Sequence, residues 1–428
     1  MLRQYNCYKQ IVNCRCMRVP AILLLTLLVF TASAQRTIRG RVVNESTGVA
    51  ITGSSVFISN TSKGTVTNSE GQFELNDVPA GKHDLVISCI GYETNVYSFN
   101  EQQLPLQLKV QLSVKVKELT NVTLEPFIEE GWDKWGKMFM DNFIGTTENG
   151  THCKVKNTGK IKFRYYKKSN RVIAYADEPI IIENKALGYT IKYQLENFEV
   201  SFKEHTTFYL GYPFFEDNTR EGKEPKDKWQ RRRTEAFKGS VVHFMQSLYN
   251  NKLKEEGFEV RRMVRSPNTE KERVKQIYKG PARTIKTSPG TGMVIEIGVP
   301  SGGTAGDSSF YYQQVMRQKD HIDVYGADLL TADSLIVQTE GKYKALYFHN
   351  YLYITYKGEY EEEGYLRSQM ENRKPGFQRS LVMLLNDEFI TVDDQGNYYN
   401  PQDFFTSLYW GWSEKISNLL PVDYVPEK

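Results

Sequence analysis

The feature that most limits the fold is a period of two in hydrophobicity across residues 36–124, broken at short intervals by turn residues. Ile38, Gly40 and Val42 fall on one side of an extended segment, and Arg39 and Arg41 on the other. Val56, Phe57 and Ile58 follow a loop. Thr65-Val66-Thr67, then Asn68-Ser69-Glu70-Gly71, then Gln72-Phe73-Glu74-Leu75 reads as a hairpin. Gly71 falls where a type I turn needs a left-handed residue. Pro79-Ala80-Gly81 turns the chain again. Leu85, Ile87 and Cys89 then alternate with Val86, Ser88 and Ile90, and Gly91 ends the run. Leu106, Leu108, Val110 and Leu112 alternate in a last strand. Short strands at this spacing predict an all-β sandwich of about seven antiparallel strands.

The segments IRGRVVNESTG and SSVFISNTSKGTVTNSEGQFELNDVPAGKHDLVISCIGYE resemble the carboxypeptidase-regulatory-like domain, a transthyretin-like sandwich. The matching positions are Gly40, Val42, Gly64, Thr65, Thr67, Gly71, Phe73, Leu75, Leu85, Ser88, Ile90, Gly91 and Tyr92. Asn68 stands where that pattern usually has Asp, and Ile51-Thr52-Gly53 replaces a more common Pro-Leu-x-Gly-Ala. In Bacteroidota such domains often begin exported envelope proteins, including TonB-dependent receptors. Lys117–Leu124 resembles the exit strand of those proteins. The resemblance does not bring peptidase chemistry with it. A zinc carboxypeptidase needs a His-x-x-Glu pair, and none of His83, His152, His205, His243, His321 or His349 has Glu three residues later. A receptor barrel is not expected either, because large transporters use about 22 strands of about ten residues plus a plug, more than the residues after the sandwich supply.

Residues 1–34 read as a signal peptide. Arg18 precedes the apolar run Ala21–Phe30, and Ala32-Ser33-Ala34 supplies small residues for cleavage. Met17 is an alternative start. Removing the leader leaves 51 basic and 51 acidic residues, so the excess of positive charge belongs to the leader. Of five cysteines only Cys89 and Cys153 would remain, which is no disulfide framework. A Cys89–Cys153 bridge and a buried, reduced Cys89 are both open readings.

Residues 125–428 read as a β-rich α+β domain. Trp132, Trp135, Phe139 and Phe143 form one apolar stripe on a helix expected over 131–143, which would pack on the following sheet. Strand patterns follow at Ile161–Tyr165, Ile191–Leu195 and Phe198–Phe202. A helix is expected over 240–254, with Gly257 just past its end. Strands return over 321–356, a hairpin over 389–399, and a closing helix over Phe404–Leu420. This half resembles the uncharacterised region that follows the sandwich in other Bacteroidota envelope proteins.

No nucleotide-binding loop and no Gly-x-Ser-x-Gly elbow occurs, so no catalytic residue, metal ligand or cofactor is assigned. The loop Gly302–Ser308 reads as flexible, and Asp393–Asn397 as a turn. Charge is uneven: residues 220–286 hold 19 basic and 9 acidic residues, against 7 and 13 in 355–428. Arg231, Arg232 and Arg233 are the candidate contacts for an anion or partner, since guanidinium groups pair bidentately with phosphate or carboxylate. The opposing reading is a solvated face, or partial pairing with the acidic region around Glu359 and Glu361–Glu363. Nucleic acid is an unsuitable partner for an exported chain of balanced charge.

These features predict an exported, non-catalytic envelope protein in the periplasm or at the outer membrane, with at most peripheral membrane association. The sandwich would be its docking module, and an envelope protein or a glycan its partner. The alternatives are an accessory part of TonB-dependent uptake, or a glycan-active enzyme using carboxylates scattered in sequence.

Overall fold

The computed structural model describes residues 36–115, 125–219, 226–277 and 308–426, with the backbone of 283–287 and 293–297. The leader at 1–34, the segment Lys117–Leu124 and residues 301–307 of the glycine-rich loop lie outside the described residues.

Strands β1 (Ile38–Asn44), β2 (Ser55–Ile58), β3 (Gly64–Val66), β4 (Gln72–Leu75), β5 (Lys82–Ser88), β6 (Asn95–Asn100) and β7 (Leu106–Leu112) form the sandwich. One sheet has the order β4-β1-β7, the other β3-β2-β5-β6. Pairing is antiparallel except between β1 and β7, which run parallel. Inward residues interleave between the sheets: Ile38 and Val42 from one, Val56, Ile58, Leu85 and Ile87 from the other. Burying each contributes roughly 1.5–3 kcal/mol.

The expected hairpin at 65–75 is corrected by the pairing. β3 pairs with β2 and β4 with β1, so the two arms belong to opposite sheets. The turn between them forms as its residues dictate. Asn68 Oδ1 accepts from the N–H of Glu70 and Gln72, and Gly71 adopts φ +72°. Local turn chemistry is thus compatible with a corner that crosses between sheets.

The second half opens with β8 (Phe127–Glu130) and a helix, Trp132–Phe139, that widens into a π turn at Met140–Ile144. The aromatic stripe lies on the sheet as expected. Phe139 meets Phe198 at 4.7 Å between centroids, and Phe143 meets Tyr193 edge-on at 4.9 Å. This sheet also contains β9 (Cys153–Val155), β10 (Ile161–Tyr166), β11 (Arg171–Ala176), β12 (Ile180–Asn184), β13 (Tyr189–Ser201) and β14 (Thr206–Asp217). Its order is β8-β10-β11-β13-β12-β9, with β14 paired to β13.

Two helices, Asp227–Phe237 and Val241–Tyr249, lead to the next sheet. The second is shorter than the expected 240–254, because Asn251 turns left-handed at φ +55°. The next strands are β15 (Phe258–Pro267), the hairpin β16 (Arg283–Thr287) and β17 (Met293–Ile297), β18 (His321–Tyr325), β19 (Ile336–Glu340), β20 (Tyr343–Leu346), β21 (Tyr351–Tyr360), β22 (Phe377–Leu384), β23 (Ile390–Val392), β24 (Tyr398–Tyr399) and β25 (Phe404–Leu408). They build a five-stranded sheet, β18-β15-β21-β22-β25, and a four-stranded one, β19-β20-β23-β24.

The closing helix expected over 404–420 is corrected. Phe404–Leu408 is β25, paired with β22, and only Tyr409–Ser413 and a single 3-10 turn at Ile416–Asn418 are helical. Phe404, Phe405 and Thr406 suit a pleated surface better than a helix. Leu408 then takes φ +60° and ψ −130°, which breaks any helix at that point.

The sandwich is fastened to the second half through its outer face. Phe57 and Val86 are cross-strand neighbours on that face, and both are buried. The Phe57 ring packs on Phe214 of β14 at 5.4 Å. Thr61 forms a parallel bridge with Phe214, flanked by Asn60 N–H to Pro213 O at 2.7 Å and Phe215 N–H to Thr61 O at 3.0 Å. Gly64 is required there: a Cβ would sit 2.6 Å from the Phe214 ring.

Candidate functional site

A cleft of about 530 Å³ lies where the Thr147–Asn149 turn, the end of helix Asp227–Phe237, the ends of β21 and β22, and residues 409–418 converge. Its polar wall starts with an irregularity in a strand. In register, Tyr356 pairs with Gln378 but Tyr360 pairs with Phe377, so β21 carries three more residues than β22 over that interval. Such a bulge turns side chains out of the strand's regular alternation. It brings Glu359 and Tyr360 to the cleft, with Glu362 just beyond. The Tyr360 ring stacks on Phe377 with centroids 5.3 Å apart and planes 7° from parallel, yet stays 64% exposed.

The acidic run divides by position. Glu361 is buried away from the cleft, where its carboxylate receives two guanidinium nitrogens of Arg373 and the N–H of Gly376. Burial pushes its carboxyl up, but these donors outweigh burial and hold it below the ordinary value. Glu362 accepts the N–H of Glu148 at 3.0 Å, and Glu359 accepts from Gln378 at 3.4 Å. Glu414 reaches the start of helix Val241–Tyr249 and accepts the Val241 N–H at 3.3 Å. None of Glu359, Glu362 and Glu414 forms a salt bridge with a described residue. Burial raises Glu359 and Glu414 to about 7, and raises Glu362 in the same direction. Next to Glu414, burial depresses the Lys415 ammonium to about 8, and that ammonium sits over the Tyr209 ring.

The three arginines expected as one contact are separated. Consecutive residues of a helix point about 100° apart, so three in a row fan outward rather than share a face. Arg231 is exposed beside Glu235 at 3.6 Å. Arg232 pairs with Glu148 at 2.9 Å across the cleft. Arg233 is buried, donating to Leu187 O at 2.8 Å and Asp217 at 3.0 Å, with its guanidinium 3.9 Å from the Tyr189 ring centre. Arg231 and Arg232 line the cleft and Arg233 does not.

Sequence reasoning missed Tyr360, Tyr409 and Glu414 as members of one site. The only signal was the charge contrast between 220–286 and 355–428, which does place opposite charges along the same cleft. Arg232, however, finds its carboxylate at Glu148, not in the acidic C-terminal region. Cys89 and Cys153 are both free thiols, so no bridge links them, and burial raises the Cys153 thiol to about 12. Cys89 is half-buried at the sandwich core. Asp393 closes the 390–399 hairpin, accepting from Gln395, Asn397 and Tyr399. Among the described residues, no cluster of His, Cys, Asp and Glu could hold a metal ion. No helix among them is long and apolar enough to cross a membrane.

Carboxyl groups near neutrality both donate and accept hydrogen bonds. With Asn149, Asn418 and Gln378 beside them, they make a wall suited to polar ligands rather than to an apolar one.

No curated protein matches the chain. Among solved structures, an N-terminal interface mutant of a type II cohesin–X-dockerin complex from Acetivibrio cellulolyticus is 27% identical over 18% of this chain and 57% of that one, with a TM-score of 0.16. A protein of unknown function from Bacteroides fragilis NCTC 9343 is 9% identical, over 83% of this chain and 92% of that one, with a TM-score of 0.15. Scores this low carry no argument about fold or function. The match that identifies part of the chain is to a family model: residues 38–124 match the CarboxypepD_reg-like domain, and the N-terminal sandwich is a domain of that kind.

Proposed function

We propose that this is an exported, non-catalytic envelope protein that binds a polar ligand in the cleft of its second half, with the sandwich as its docking module. Export rests on the leader-like sequence at 18–34. The observation that carries the binding reading is the cleft itself. Three carboxyl groups, Glu359, Glu362 and Glu414, line it with no salt bridge to a described residue, and Tyr360, stacked on Phe377, stands at its side. Desolvated carboxyls cost stability unless something binds them. Docking uses the sandwich surface that the second half leaves free, because its Phe57–Val86 face is already covered.

The test is a thermal shift with soluble fragments released from isolated envelopes by enzymatic digestion. The wild-type chain is stabilised by the fragments, and a Tyr360→Ala, Glu362→Ala double variant is not. Equal shifts in both, or none in either, contradict the reading.

One observation favours a second reading, a glycan-active enzyme. Glu359 and Glu414 share the cleft and both sit at about 7, where a carboxyl can serve as general acid or base. Fragments recovered shortened after incubation with the wild type, but not with Glu359→Gln or Glu414→Gln, would establish that reading over the first.

A further inference from the structure

Resting on the reading of the cleft as a binding site, we propose that its ligand is a neutral oligosaccharide, one of whose rings lies against the exposed ring of Tyr360 while its hydroxyls meet the carboxyl and amide groups of the wall.

The argument starts with Tyr360. Phe377 overlaps part of one face of its ring in an offset, near-parallel stack with centroids 5.3 Å apart, and much of the residue remains exposed. Tyr360 ends β21 and is 64% exposed, so most of its surface is left unused by the core. A sugar ring is amphipathic: it presents C–H groups on its faces and hydroxyls around its edge. An exposed aromatic ring beside hydrogen-bonding groups matches both parts.

The charge pattern selects against the alternatives. An anionic ligand would have to displace Glu148 from Arg232, paired at 2.9 Å, and would meet the Glu359, Glu362 and Glu414 carboxyls; Arg231, weakly paired with Glu235, and Lys238 are the cations left to it. A cationic ligand needs ionised carboxylates, but at about 7 Glu359 and Glu414 keep a large share of the protonated form at neutral pH, and burial moves Glu362 in the same direction. A neutral polyol requires neither. Its hydroxyls donate and accept, and so do partly protonated carboxyls and the amides of Asn149, Gln378 and Asn418. The volume of about 530 Å³ falls within the usual range for small-ligand sites, about 300–1,000 Å³.

The experiment is titration calorimetry of the full chain with neutral tetrasaccharides: glucose-, mannose-, xylose- and N-acetylglucosamine-based. A heparin tetrasaccharide serves as the anionic probe. At least one neutral tetrasaccharide binds at millimolar concentration or below. Tyr360→Ala weakens it by about tenfold or more. Tyr360→Phe, which keeps the ring, binds within about twofold of wild type. Glu359→Ala weakens the same ligand without touching the stack, so a misfolded Tyr360→Ala protein would not leave the assignment untested. No binding by any neutral member, preference for heparin, or full affinity in both alanine variants overturns the proposal. Failure here with a cleft-dependent shift from envelope fragments removes the ligand class and keeps the binding reading; failure of both removes both.

Discussion

The backbone N–H of Ser62 donates to the carboxylate of Asp423 at 3.1 Å, joining the sandwich to the last turn of the chain across 361 residues. Val422 N–H to Asn60 O at 2.8 Å runs alongside. Asp423→Ala removes an acceptor that the Ser62 hydroxyl also uses. The expected cost is about 1 kcal/mol, with faster hydrogen exchange at Asn60–Ser62 and unchanged exchange in the five-stranded sheet. Uniformly faster exchange would mean that the contact is not a local fastening.

The arginine triplet predicts unequal effects from equal substitutions. Arg233→Ala removes a buried guanidinium that serves Leu187, Asp217 and Tyr189, and should cost about 3 kcal/mol. Arg231→Ala, at an exposed i,i+4 pair, should change stability by less than about 0.5 kcal/mol. Denaturant unfolding of the two variants decides this. Burial raises the Asp217 carboxyl, but bonds from Arg233 and Thr219 outweigh it, so the folded value lies below the ordinary 3.8. Its contribution is therefore present above pH 3.8 and is lost as pH falls through the depressed value.

The cleft carboxyls titrate with the opposite sign. Glu359 and Glu414 lie at about 7 in the folded chain, against 4.5 for an ordinary glutamate. Below 4.5 both states hold the proton. Between 4.5 and 7 the unfolded chain releases it first, so stability falls as pH rises through that window. Glu359→Gln and Glu414→Gln should each flatten that slope and raise Tm above pH 7, with little change near pH 4.5. A pH–Tm profile parallel to wild type would contradict the burial of these groups.

Leu408 occupies φ +60° and ψ −130°, a conformation that glycine adopts without a Cβ penalty. Its side chain is 44% exposed, so little packing is lost on truncation. Leu408→Gly should therefore be neutral or stabilising, by up to about 1 kcal/mol, whereas Leu408→Val should destabilise. Thermal melts of the pair provide the comparison.

How much of this was readable in sequence depends on the range of the signal. The Asn68–Gly71 turn and the Trp132–Phe143 stripe were readable, because each is set by neighbours within a few residues. Which sheet each arm of that turn joins was not readable, since β4 finds β1 through residues more than thirty positions away. The run at 404–408 misled because aromatic residues in so short a stretch satisfy both a period of two and a period of 3.6. The cleft was the least legible part. Glu148, Arg232, Tyr360 and Glu414 have no spacing in common; they meet where the Thr147–Asn149 turn, the helix Asp227–Phe237, the β21 bulge and the segment after the turn at Leu408 converge.

The most direct test of the binding account is hydrogen exchange on the full chain with and without the envelope-derived fragments. The account predicts protection at residues 231–240 and 357–362, the two backbone segments that frame the cleft on either side of Gly239 and Tyr360. Protection confined to the sandwich, or absent from both cleft segments, would contradict it.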